Sequence, residues 1–152
     1  MDNRTNLTLP RGIRNNNPGN LRSDVSWAFM TGGDSGGFAI FDDSIHGLRA
    51  LAKDLTNKIN ADGLTTITGI ISKYAPPSEN NTAAYIQSVV DDTNLGPDQV
   101  LSADAPTLAL LMRAIVNHEN GESFSNDYVS DADIASGIAM IGLSPAETFP
   151  QR

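Results

Sequence analysis

Residues 105–121 read APTLALLMRAIVNHENG, and the reading of the whole chain turns on them. Leu108, Leu111, Met112, Ile115 and Glu119 recur at helical spacings, so a carboxylate continues the apolar stripe of an amphipathic helix. Asp104 and Pro106 supply a helix start, and Gly121 supplies a left-handed cap at the end. An apolar wall and the negative end of the helix dipole both disfavour an ionised carboxyl at such a place. A neutral carboxyl is what a general acid requires, which makes Glu119 the first candidate for chemistry. The plainer alternative is that Glu119 turns at the helix end and reaches solvent.

Around this helix, composition narrows the function classes. A chain of 152 residues with 39% hydrophobic and 18% charged residues fits one globular domain with a real core. No apolar run is long enough to span a membrane, and the N-terminus MDNRTNLTLPRG lacks a signal-type apolar stretch. The absence of cysteine excludes disulfides, thiolate nucleophiles and cysteine zinc ligands. Only His46 and His118 are present, so a three-histidine metal site is impossible. No metal or cofactor is expected, although a zinc site on both histidines plus a carboxylate stays open. The net charge of −8 argues against nucleic acid or a stable membrane association as partners. Basic residues nevertheless gather near the start, at Arg4, Arg11, Arg14 and Arg22.

The expected fold class is mainly α with a small β-hairpin. Residues 1–9 read as a loose tail, 10–142 as the domain and 143–152 as a second tail. The stretch PRGIRNNNPGNLRSD over 10–24 is turn chemistry and reads as an ordered loop. Strands are expected over 26–30 and 37–41, joined by a glycine-rich link. Helices are then expected over about 45–60 (cap Asp43 or Ser44), 66–74 (cap Thr65 or Thr66), 82–92 (cap Asn81) and 105–119. A fifth follows Ser130 and Asp133, a capping-box pair, and closes at Gly142.

Two motifs mislead. Gly33–Gly37 reads GDSGG, the nucleophile segment of chymotrypsin-like proteases, but no histidine precedes Ser35 and strands are too few. A hairpin tip is the better reading. His118-Glu119 opens like H-E-x-x-H, but position 122 is Glu122.

Three segments resemble the lysozyme-like peptidoglycan-cleaving enzymes, the lytic transglycosylases and goose-type lysozymes. AIVNHENG at 114–121 is similar to the family's helix ending in a catalytic glutamate. KYAPP at 73–77 with NTAAYIQSV at 81–89 resembles its tyrosine elements. RNNNPGNLR with the W…GGF.IF…GLRAL pattern resembles the opening of small phage lysis or virion-associated proteins. The resemblance implies a lysozyme-like single domain that cuts the glycan strands of peptidoglycan, as a muramidase or lytic transglycosylase. It implies Glu119 as the acid, with Tyr74 and Tyr85 lining the sugar cleft. It also implies a circular permutation, because the glutamate helix follows the tyrosine elements here. A muramidase needs a second carboxylate, for which Glu79 is the first choice and Asp34 or Asp42 the alternatives. Trp27 offers a face for sugar stacking, and Asn17 and Asn20 offer hydrogen bonds to sugar substituents, although core packing and turn bonds are their plainer roles. The implied partners are peptidoglycan and other phage virion proteins. The implied setting is host cytoplasm or virion, with action on the cell wall in the periplasm. A wall endopeptidase or amidase, or a non-catalytic phage structural or wall-binding protein, are the alternatives.

Overall fold

The computed structural model describes residues 6–143. Among them stand seven helices and one two-stranded antiparallel sheet. In chain order these are α1 (Arg11–Arg14), β1 (Met30–Gly33), β2 (Ala39–Phe41), α2 (Ser44–Asn60), α3 (Ile67–Tyr74), α4 (Thr82–Thr93), α5 (Ala105–Asn120), α6 (Glu122–Tyr128) and α7 (Asp131–Ala139). The expected class, mainly helical with one small hairpin, is what is found.

Local chemistry sets the helix starts. Asp43, Thr66, Asn81, Asp104 and Ser130 each accept a hydrogen bond from a backbone N–H of the first turn. Such a cap contributes about 1 kcal/mol. Ser130 and Asp133 close a full capping box. The apolar stripes of α2, α3, α4, α5 and α7 then meet in one core, with Leu48, Leu51, Leu55, Ile70, Leu111, Met112 and Ile115 fully buried. Helices α2 and α7 approach so closely at Gly137 that a Cβ there would lie 2.8 Å from Leu48 Cβ. A smaller cluster of Leu21, Ala39, Phe41 and Ala50 seats the hairpin, with Trp27 packed against it.

Three expectations need correction. The first strand begins at Met30, not Ser26, because Phe29 takes a left-handed φ of 68° and stacks on His46, which interrupts extended chain. Leu9 is buried in the main core, so ordered chain begins before Pro10. Residues 1–5 and 144–152 of the two expected tails lie outside the described residues. Gly121 has a positive φ of 86°, but its ψ of 140° is extended. It therefore redirects the chain straight into α6, a helix the sequence pattern did not predict.

Ser35 sits exposed in the hairpin turn, as the glycine-rich link suggests. Asp34 builds that turn, accepting from the N–H groups of Gly36 and Phe38 and from Asn15 Nδ2. Burial works against the ionised Asp34, but these donors and nearby Arg11 hold its carboxyl below the usual range.

Candidate functional site

The run NNNPGN at 15–20 builds one wall of the site. Asn15 Nδ2 reaches Asp34, and Asn16 Nδ2 donates to the Phe41 carbonyl. Asn17 is fully buried. It donates to the carbonyls of Leu21 and Ala39 and accepts from the Leu21 N–H. These bonds stitch the loop to the hairpin and leave Asn17 outside the cleft. Its expected contact with sugar is thus replaced by a structural role, since every polar atom of its side chain is engaged with backbone.

The loop is also tied to the end of α5. Asn120 Nδ2 donates to the Pro18 carbonyl at 2.8 Å and to Val116 at 3.0 Å. Asn20, held at a left-handed φ of 52°, donates from Nδ2 to Glu119 Oε1 at 2.8 Å. Tyr85 Oη, from α4, donates to Glu119 Oε2 at 2.8 Å. Each oxygen of a half-buried carboxylate is therefore met by one neutral donor. The apolar wall expected around Glu119 gives way, at its oxygens, to an amide and a phenol.

Glu119 and Asn20 face an open cleft of about 440 Å³, which Trp27, Tyr74 and Glu79 also line. Tyr85 does not line it. Only 1% exposed, its ring lies beneath Glu119 and stacks on His118 with centroids 3.7 Å apart. The expectation that Tyr85 touches sugar is corrected on that ground: burial leaves the ring no open face, and its hydroxyl serves Glu119. Tyr74 donates to the Gly19 carbonyl and so fixes the loop from below.

Both phenols hold their protons tightly. Burial is the main cause, and the Glu119 charge adds to it, so Tyr74 and Tyr85 both titrate well above the ordinary tyrosine value. In the unfolded chain they lose their protons near pH 10. Their contribution to stability is thus complete below about pH 10 and is lost as pH rises beyond it. Unfolding monitored by circular dichroism between about pH 8 and 12 is expected to show a steep alkaline decline. Tyr85→Phe is expected to flatten that decline; an equally steep loss in the variant contradicts this assignment.

Further charges complete the cleft. Asp54 and Lys58, one turn apart on α2, form a largely buried pair at 2.8 Å, and Lys58 Nζ lies 5.4 Å from the Tyr74 ring centre. Arg11, Arg22, Lys73 and Asp24 also line it. Glu79 is paired with Arg22. Asp34 is occupied in its turn, and Asp42 holds His46 Nδ1 at 2.6 Å. Among the described residues Glu119 forms no ion pair, and no group of three or more acidic or histidine side chains is placed to hold a metal ion. No helix among them is long and apolar enough to cross a membrane.

No family model matches the chain. Over 126 residues it is 34% identical to Protein P5 of Pseudoalteromonas phage PM2, an alignment that takes in 80% of this chain and 76% of that protein.

Proposed function

The chain belongs to the family of the phage PM2 Protein P5, and we propose that it cuts the glycan strands of peptidoglycan with Glu119 as the general acid. One observation carries this reading. Glu119 stands at an open cleft, held at both oxygens by neutral donors, while Asp54 and Glu79 are tied to Lys58 and Arg22. A carboxyl that reaches the cleft without being spent on an ion pair is free to act on a substrate, and Asp24, which also lines the cleft unpaired, is exposed and has no donor holding it among the described residues.

In the proposed reaction Glu119 protonates the bridging glycosidic oxygen, and the bond to the anomeric carbon breaks. The sugar's own hydroxyl closes on that carbon, and the carboxylate takes the hydroxyl's proton. The acid is regenerated and the product is an anhydro sugar. This route needs one carboxylate. A muramidase needs a second, and the first choice, Glu79, is engaged by Arg22. Trp27 offers the incoming sugar a flat face. Asn20 and Tyr85 hold the carboxyl in place.

Mass spectrometry of peptidoglycan fragments after digestion tests the assignment. Anhydromuramic ends are the expected result. Reducing muramic ends move the assignment to a muramidase, and cleaved peptides with intact glycan overturn it. The net charge of −8, which an anionic wall repels, favours a second reading, in which the protein is a phage structural component that does not cut. Unaltered peptidoglycan is the outcome that supports it.

A further inference from the structure

We propose that Arg22 is a receptor for a carboxylate carried by the ligand, and that Glu79 occupies the same place until that ligand arrives. This rests on the reading that a wall strand fills the cleft. Arg22 and Glu79 both line it, and they come from different walls, 57 residues apart in the chain. Their side chains are 48% and 52% exposed. An ion pair that open is worth less than about fivefold in affinity, so an incoming carboxylate displaces Glu79 at little cost.

The two partners are held very differently. Arg22 is fixed without Glu79: its backbone bridges to Phe38, and its guanidinium carbon stands 4.3 Å from the centre of the Phe38 ring. Arg11 stands over the same ring, also at 4.3 Å, but its Nε is paired with Asp34 at 3.6 Å, which leaves Arg22 as the guanidinium that meets the ligand. Glu79 sits on a turn closed by its own N–H to the Pro76 carbonyl, and its carboxylate has no other partner than Arg22 among the described residues. When Glu79 swings away, a fixed guanidinium fork remains, shaped for a carboxylate. Wall strands present carboxylates on their peptide stems and, where the stem has been removed, on the muramic lactyl group. Neutral chitin-type sugars present none. Glu79 is then an internal stand-in for the ligand's anion and not the second catalytic carboxylate.

Calorimetric titration tests this in a Glu119→Gln background, which prevents turnover. The probes are a tetrapeptide-bearing disaccharide, a peptide-free GlcNAc–MurNAc oligomer and chitotetraose. Arg22→Gln is expected to weaken binding of a charged probe by about tenfold while sparing chitotetraose. Glu79→Gln is expected to tighten the same charged probe by about two- to fivefold. Whichever charged probe responds identifies the stem or the lactyl group as the source. Arg22→Lys, which keeps the charge on a side chain of similar length, is expected to restore part of the preference. Equal binding of charged and neutral probes by the parent protein overturns the proposal. So does an unchanged preference in Arg22→Gln, or weaker or unaltered charged binding in Glu79→Gln. Full lysis by Glu119→Gln on its own removes the glycosidase reading and leaves these binding ratios to be judged separately.

Discussion

Glu119→Gln is expected to lower the rate of peptidoglycan cleavage by about a hundred- to ten-thousandfold, the usual contribution of a positioned general acid. The substitution is close to isosteric, so its effect on folding is small and separable. Asn20 Nδ2 and Tyr85 Oη both donate to the native carboxylate. A glutamine can place its carbonyl toward Asn20 and its amide toward Tyr85, whose hydroxyl then accepts instead of donating. Neither partner is left buried and unpaired, and the melting temperature is expected to stay within a few degrees of the parent, since loss of a neutral hydrogen bond costs about 1 kcal/mol. The discriminating result is therefore a collapse in lytic rate without a collapse in stability. Lysis at the parental rate by a folded Glu119→Gln protein removes Glu119 from the role and with it the proposed reaction.

Much of the fold was legible because its signals are local. Five helix starts depend on a cap and the residues just after it, and all five caps are where the spacing puts them. Helix α6 carries no such signal: it buries only Ser125, so its sequence has no apolar period to read. The hairpin was displaced because the run Trp27–Met30 looks like strand, while Phe29 is spent on His46. The site was legible in one half. Glu119 follows from helical periodicity, but its partner Asn20 lies 99 residues away and, by itself, is indistinguishable from any turn asparagine. Tyr85 had a usable signal. It stands one turn before the buried Val89 on the same helix face, which marks it as inward and not as cleft lining. Likewise, Asp54 and Lys58 flank the Leu51 and Leu55 stripe at i,i+4 spacing, a hint that this pair lies close to the core.

The second large effect is expected at Gly47, where two opposing magnitudes decide the sign. In an ordinary helix interior, glycine to alanine gains about 1 kcal/mol. Gly47 lies inside α2, so Gly47→Ala ought to stabilise if nothing stood nearby. A Cβ built there, however, would sit 2.0 Å from the Asn16 carbonyl oxygen and 3.1 Å from Pro18 Cδ. Normal carbon–oxygen separations start at roughly 3.3 Å, so the loop backbone would have to retreat by about 1 Å or more. It has little freedom to do so. Asn16 is held at a left-handed φ of 54° with its amide on the Phe41 carbonyl, and Asn17 is locked to Leu21 and Ala39. Overpacking against so constrained a backbone costs about 3 kcal/mol, which outweighs the helix gain by about 2 kcal/mol and lowers the melting temperature by roughly 4–8 °C in a chain of this size. The same displacement carries Asn20 away from Glu119, because three residues of loop join Asn16 to it. Lytic rate is thus expected to fall further than the lost stability explains, even at temperatures where Gly47→Ala is fully folded. A higher melting temperature in Gly47→Ala would show that the loop can yield, and would detach the asparagine loop from the positioning of the carboxylate.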